Sequence, residues 1–194
     1  MAPVTVKPTR TDIAIANEIA EHATPELEET AKALTWGADE HVMLALAAAG
    51  WLYARTRPAE ERRTANHILA VSLVTAMLPH ILKSTFDQVR PDRLTIRGHR
   101  RGVPFSGQAR DAFPSGHAVH MGALASAAGL LPPLRRRLVR GIAVGLSLTR
   151  IALLAHWASD VAAGFMLGIA IERMMRPWTL ARRSTEPGKG GGHD

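Results

Sequence analysis

Five predominantly apolar segments run along the chain, and polar connectors separate them. The segments are rich in Ala, Leu, Met and Gly, and none alternates apolar and polar residues as a half-buried strand does. They lie at roughly residues 41–54, 64–82, 118–134, 138–154 and 158–175. The pattern therefore predicts an all-α protein.

A sixth region, residues 12–34, has apolar positions near the helical period and many acidic residues between them. Thr24-Pro25-Glu26 restarts the pattern, with Thr as N-cap and Pro at the first helical position. We expect two short amphipathic helices that either lie on a membrane surface or cover a core. The chain then divides into an N-terminal arm (1–40), a helical domain (41–178) and a flexible tail (179–194).

Hydropathy and charge together bear on whether these helices span a membrane. Residues 64–82 give 19 positions without Asp, Glu, Lys or Arg, close to the ~20 residues of a spanning helix, whereas the other segments are shorter. In a five-span topology the arginine-rich connectors 55–63 and 132–140 fall on the same side as the C-terminal arginines, which the positive-inside rule makes cytoplasmic. Four tryptophans lie near segment ends, as interfacial anchors or as ordinary edges of a core: Trp36, Trp51, Trp157 and Trp178.

Composition excludes several classes of protein. The chain has 194 residues with a net charge of +7 and 46 % apolar residues, so it is not disordered. It has no cysteine, which excludes a disulfide scaffold, a Cys-ligated zinc site and a thiol nucleophile. Aromatic residues make up only 5 %, a poor supply for stacking single-stranded nucleic acid. The first residues are not followed by the apolar core of a signal peptide, so no signal peptide is expected.

The first chemical signal is the pair Lys83 and Arg90, followed by Pro91. Seven residues make about two helical turns, so on one helix both cations would share a face near its end. Two cations there indicate an anion site. The structural alternative is a solvated basic cap after a buried helix.

The second signal is Phe113-Pro114-Ser115-Gly116-His117, which opens an apolar helix. Free N–H groups and the positive end of the helix dipole favour a phosphate or similar anion at Ser115 and Gly116. His117 in the first turn would face the same anion. The alternative is an ordinary Ser N-cap beside a histidine without a chemical role.

The third signal combines Thr149-Arg150 with His156 and Asp160. His156 and Asp160 are four residues apart, so on a helix the carboxylate could hold the imidazole N–H. Arg150 lies six residues before His156, about 240° around a helix, so the two meet one substrate only if the helix breaks between them. The alternative is a buried His–Asp pair that joins two helices.

In order, K-x6-R-P, P-S-G-H and R-x5-H-x3-D closely resemble the signature of the type 2 phosphatidic acid phosphatase family. That family shares its site with vanadium haloperoxidases and bacterial class A acid phosphatases. The resemblance covers residues 83–160 and departs at Thr149, where the family usually has Ser. It implies a membrane-embedded helical bundle with the acid phosphatase/haloperoxidase-like core. Membrane members usually have six spanning helices, whereas the apolar segments of this chain predict about five, preceded by the amphipathic arm.

The resemblance also implies roles for the site residues. His156 would attack phosphorus and form a phosphohistidine, Asp160 would orient it, and His117 would protonate the leaving oxygen and later activate water. The other site residues would bind the phosphoryl oxygens: Lys83, Arg90, Arg150, Ser115 and Gly116. No metal or cofactor is implied. The basic residues of the 83–116 connector would line the mouth of an anionic site.

The function expected is metal-independent hydrolysis of a phosphomonoester or diphosphate on a membrane lipid, with the site on the outer, periplasmic face of an integral membrane protein. A polyprenyl phosphate or diphosphate is favoured, followed by phosphatidic acid or phosphatidylglycerol phosphate. The alternatives are a soluble acid phosphatase or haloperoxidase-like enzyme, and a lipid phosphotransferase with the same site. A basic protein that binds nucleic acid is disfavoured, because its arginines are dispersed over alternate connectors. The oligomeric state is not predicted.

Overall fold

The computed structural model describes residues 4–91 and 110–181, and within them the chain is helical, as predicted. Two short strands pair in parallel: β1 (Val4–Thr5), near the N-terminus, and β2 (Phe86–Asp87), in the middle of the chain. The α-helices are α1 (Arg10–His22), α2 (Pro25–Thr35), α3 (Glu40–Ala54), α4 (Ala59–Lys83), α5 (Gly116–Ala127), α6 (Pro133–Ala152) and α7 (Ala158–Leu180). The five apolar segments correspond to α3–α7, which confirms the all-α class.

Local capping explains where the N-terminal helices begin. The Thr9 side chain accepts the Asp12 N–H, and the Asp12 carboxylate accepts the Thr9 N–H, which forms a capping box at the start of α1. Thr24 is the N-cap of α2 and Pro25 is its first helical residue, as the sequence predicts. Asp39 caps α3 by accepting two backbone N–H groups. All three signals are local, so each helix start is specified by residues of its own segment.

Helix α5 lies at the centre of the bundle and packs against α4, α6 and α7. Its closest neighbour is α7, because glycines face the partner backbone at Gly122, Gly164 and Gly168. Without side chains at these positions, the two backbones approach more closely than in ordinary helix packing. The chemistry at the N-termini of α5 and α7 is therefore held by a rigid helix pair.

Arg140 and Arg176 lie at the end of the bundle that contains the C-termini of α5 and α7. Arg140 donates to the Ala125 carbonyl, and Arg176 donates to the Ser126 carbonyl and to the buried Glu172. Glu172 also meets the fully buried His67, whose Nε2 lies 2.9 Å from the Glu172 carboxylate. This basic end closes the bundle opposite the N-termini of α5 and α7.

Helices α1 and α2 cover the loop between α6 and α7. Ala16 of α1 packs with Leu154 and Trp157, and Ala31 of α2 packs with the same loop. Of the two alternatives for the amphipathic helices, the structure thus shows packing on the core. Trp157 is fully buried and donates to the Val89 carbonyl, so it is a core residue and not an interfacial anchor.

Of the residues that the structure describes, α4 alone is long and apolar enough to cross a membrane, with a mean hydropathy of 1.5. The count of five spans therefore stays a prediction. The division into arm, domain and tail is likewise a prediction, and residues 182–194 of the tail lie outside the described residues.

Candidate active site

The three sequence motifs converge at the end of the bundle opposite the arginine-rich end. Lys83 is the last residue of α4, Ser115 precedes α5, Arg150 lies in the last turn of α6, and Asp160 lies in the first turn of α7. Antiparallel neighbours bring these alternate helix ends together. Long helices therefore position the site, while the residues themselves lie at helix ends and in loops.

The first motif is not on a single helix, contrary to the prediction. Helix α4 stops at Lys83, and the chain then extends through β2 before it reaches Arg90. The two cations nevertheless meet at a third residue, Asp111. One Asp111 oxygen accepts Arg90 Nε at 3.1 Å and an Arg90 terminal nitrogen at 2.7 Å, and the other lies 3.4 Å from Lys83 Nζ. Sequence reasoning missed Asp111, although an acidic residue four positions before Ser115 in a basic connector was a visible signal.

The second motif forms the predicted helix start. Ser115 is the N-cap residue of α5 and Gly116 is its first residue. The fully buried Ser115 hydroxyl does not cap the helix and makes no hydrogen bond to any part of the chain that the structure describes. A hydroxyl in that position can donate to a phosphoryl oxygen, so the ordinary capping alternative is not realised. His117 follows in the first turn and is half-buried.

The third motif contains the predicted break between Arg150 and His156. Helix α6 ends at Ala152, and Leu154 adopts a left-handed conformation with φ of 51°. The Arg150 carbonyl accepts the N–H groups of both Ala155 and His156, at 3.1 and 3.2 Å. This tight turn folds the loop back, so that His156 returns to the level of Arg150.

His156 is buried and its orientation is set by the backbone. Its Nδ1 lies 2.7 Å from the Ala112 carbonyl oxygen. A carbonyl can only accept, so Nδ1 carries the proton and Nε2 holds the lone pair. Burial and the nearby cations Arg90, Arg150 and Lys83 hold the pKa of His156 well below its usual range, so the ring is neutral.

Asp160 does not make the expected hydrogen bond to His156. The distance from Asp160 Oδ2 to His156 Nδ1 is 3.9 Å, because His156 lies before the start of α7 and not on it. Asp160 instead accepts the Trp157 N–H at 2.9 Å, which closes the first turn of α7 next to His156. Ala112 therefore supplies the contact that the sequence assigned to Asp160.

The N-terminal helices contribute two contacts that the sequence did not predict. Thr35 of α2 accepts a hydrogen bond from the buried Arg150 at 3.2 Å. Asp12 of α1 accepts both the backbone N–H and the hydroxyl of Ser159, at 2.9 and 2.8 Å, beside Asp160. By contrast, the Thr149 hydroxyl donates to the carbonyl of Leu146 on its own helix, away from the site.

The basic connector is described only in part. Arg110 makes an ion pair with Asp87 and is not directed to the site. The other arginines expected to line its mouth lie outside the described residues: Arg93, Arg97, Arg100 and Arg101.

Comparison with known proteins gives consistent matches. The family model described as PAP2 superfamily matches residues 64–184. Two curated proteins named lipid A 1-phosphatase are similar, one from Rhizobium etli (35 % identical over 103 residues) and one from Rhizobium johnstonii (38 % over 95 residues). The alignments cover 53 % and 48 % of this chain but only 44 % and 39 % of the relatives, so the chain matches less than half of their length.

Two solved structures share the fold. The crystal structure of Aquifex aeolicus LpxE has a TM-score of 0.70 at 17 % identity and covers 88 % of this chain and 98 % of that chain. A transmembrane PAP2 type phosphatidylglycerolphosphate phosphatase from Bacillus subtilis has a TM-score of 0.63 at 22 % identity and covers 90 % and 88 %. The match to LpxE includes nearly all of that protein.

Proposed function

Because the chain belongs to the PAP2 superfamily, we propose that it is a lipid phosphatase that works through a phosphohistidine on His156. One observation carries the proposal: the neutral His156 has its Nδ1 proton on the Ala112 carbonyl and three cations around it. This leaves Nε2 as a nucleophile among groups that attract a phosphate.

In the first step, Nε2 of His156 forms a bond to phosphorus while the bond from phosphorus to the lipid oxygen breaks. The phosphoryl oxygens carry negative charge throughout the transfer, and cations that are already in place stabilise it. Arg90 and Arg150 are buried, which strengthens their attraction to those oxygens. Ser115 Oγ and the N–H groups at the start of α5 donate the remaining hydrogen bonds.

His117 completes the chemistry as a general acid and base. The negative charge of the bound phosphate favours the protonated form of His117, which takes up a proton as the substrate binds. It gives this proton to the leaving lipid oxygen, and it then takes a proton from the water that attacks the phosphohistidine. The nitrogen–phosphorus bond breaks, inorganic phosphate leaves, and both histidines return to their starting states. Charge balance comes from the side chains themselves, so the reaction as proposed needs no added metal.

A membrane setting is supported by the outer surface of the bundle. Large apolar side chains on α6 are exposed at spacings of four residues, at Leu134, Leu138 and Ile142. An exposed apolar stripe of this kind is stable against lipid and costly in water. The arginine-rich end lies opposite the site, so under the positive-inside rule the site faces the outer side of the membrane.

The substrate proposed is a lipid that carries a phosphomonoester or diphosphate. The names of the sequence relatives favour a phosphate on a glycolipid of the lipid A type as the first substrate to test, and the second structural neighbour favours phosphatidylglycerol phosphate. Polyprenyl diphosphate and phosphatidic acid stay in the panel, because nothing in the described residues selects a lipid tail.

The test is phosphate release by the detergent-purified protein, with chelator present, from each of these lipids and from a water-soluble aryl phosphate. His156→Ala is expected to abolish release without unfolding the protein. His22→Ala, at an exposed histidine of α1, is the matched control and should keep wild-type rates. Quenching in alkali and analysis of the peptide that contains His156 should detect the phosphohistidine.

Three results would redirect the proposal. Turnover by His156→Ala would remove the nucleophile assignment. Release from the aryl phosphate alone would favour a soluble acid phosphatase. Labelling of His156 without release of phosphate to water would indicate transfer to another acceptor.

A further inference from the structure

We propose that Asp111 is a positioning residue that holds Lys83 and Arg90 in one place and lowers the positive charge that they present to a phosphomonoester. This inference rests on the proposed function, because it concerns the same anion site. In the structure the first motif is divided between a helix and an extended segment. Since α4 ends at Lys83, the spacing of Lys83 and Arg90 along the chain does not by itself bring them together.

The contacts of Asp111 define the position of both cations. Its Oδ1 accepts Nε and one terminal nitrogen of Arg90, which fixes the plane of the guanidinium group. Arg90 also donates to the Ala155 carbonyl at 2.8 Å, in the loop that holds His156. Oδ2 of Asp111 then lies 3.4 Å from Lys83 Nζ. One carboxylate thus joins the end of α4 to the catalytic loop.

The backbone of the same segment is held in register. Gln88 donates its N–H to the Arg110 carbonyl, and its own carbonyl accepts the Ala112 N–H, at 3.1 and 3.2 Å. The carbonyl of Ala112 itself accepts the Nδ1 proton of His156. Consecutive residues therefore hold the phosphate-binding cations and the nucleophile, so a shift of Asp111 moves one relative to the other.

Charge gives Asp111 a second effect. Among the residues that the structure describes, the Asp111 carboxylate offsets one of the positive charges that Lys83, Arg90 and Arg150 bring to the site. A phosphomonoester carries close to two negative charges near neutral pH, so a smaller positive charge limits how tightly the site holds phosphate in the ground state. Without the carboxylate, the site would hold phosphate at least as strongly while its cations would be less well placed for the transition state.

The experiment compares orthovanadate, which adopts the five-coordinate geometry of the transferring phosphoryl group, with inorganic phosphate. Binding of each to the full-length protein is measured by calorimetry, and kcat is measured on the best lipid substrate. Asp111→Asn should weaken vanadate binding and lower kcat by about 10- to 100-fold, as misplaced groups do, without weakening phosphate binding. Asp111→Glu should restore part of both losses.

Asp87→Asn is the matched control. Asp87 is the last residue of β2, and its carboxylate pairs with the exposed Arg110. It should leave vanadate binding, phosphate binding and kcat within about twofold of wild type, as surface ion pairs contribute little. Unchanged vanadate binding in Asp111→Asn, equal weakening of both anions, or an increase in kcat/KM would each overturn the proposal. If the wild-type protein hydrolyses no lipid phosphate, the proposed function fails, and the two binding measurements still decide the role of Asp111.

Discussion

The close contact between α5 and α7 makes a sharp prediction about Gly168. A methyl group added there would lie 1.9 Å from the Val119 carbonyl oxygen and 2.7 Å from the Ala123 backbone nitrogen. Both obstacles are backbone atoms of a central helix, so no side chain can rotate away. The helices would have to separate by about 1.5 Å to restore ordinary contact.

The magnitude follows from two opposed terms. Alanine is the better helix former by about 1 kcal/mol, which favours the substitution. Overpacking a tight contact costs about 1–3 kcal/mol or more, and the upper end applies because both sides are backbone. We expect Gly168→Ala to destabilise the protein by about 2 kcal/mol. Gly145→Ala, on α6 with nothing within 4 Å, should be neutral or stabilising by up to about 1 kcal/mol.

Thermal unfolding in one detergent would measure the stability of both variants. A third variant, at Gly164, links the same packing to activity. At Gly164 the added methyl would lie 2.6 Å from the Ser115 carbonyl, so Gly164→Ala should lower kcat of the folded protein as well as its stability. Gly145→Ala is expected to melt at or above the wild-type temperature. If Gly168→Ala does so too, the packing argument is wrong.

Three further predictions follow from buried groups. The pKa of His156 is lower in the folded protein than in the unfolded chain, so below about pH 6.5 the unfolded chain binds a proton that the folded protein does not. The free energy of unfolding therefore falls as pH decreases below about 6.5, by at most about 1.4 kcal/mol per pH unit. His156→Gln should flatten this part of the melting temperature–pH curve, and an unchanged slope would contradict the pKa argument. Asp12→Ala removes both bonds to Ser159 and the bond to the Thr9 N–H, and it should cost about 1–3 kcal/mol in denaturation and lower kcat; wild-type values for both would show that these contacts do not support the site. Glu172→Ala leaves the fully buried His67 without its carboxylate and should destabilise by about 3 kcal/mol or more in thermal unfolding, but the folded fraction should keep wild-type KM because this contact lies at the basic end.

The helices were predictable because their signals are local, although several of their ends differ from the predicted segments by five to seven residues. Thr24 and Pro25 mark the start of α2 in any context, and the apolar runs are too long and too continuous for strands. The break before His156 was predictable for a different reason. Arg150 and His156 can reach one anion only if the helix ends between them, so chemistry constrained the fold.

The contacts between distant backbone atoms could not be predicted in this way. His156 is held by the carbonyl of Ala112, 44 positions earlier, and a carbonyl is present at every residue, so no residue type announces it. The pairing of β1 with β2 involves only two residues on each strand, too few for an alternating pattern. The role of Thr35 was hidden too, since its helix shows only an amphipathic surface until it packs on α6.

The distance between Asp160 and His156 separates two roles that the sequence had joined. Asp160 caps the first turn of α7 through the Trp157 N–H, and its Oδ2 lies 3.9 Å from His156 Nδ1. Asp160→Asn keeps a side-chain oxygen for the cap and removes the charge, whereas Asp160→Ala removes both. Both should lower kcat strongly with little change in KM, because the imidazolium formed during transfer loses its carboxylate. Asp160→Ala should in addition lose about 1 kcal/mol of stability in thermal unfolding. Wild-type kcat in Asp160→Asn would mean that the carboxylate serves only to start the helix.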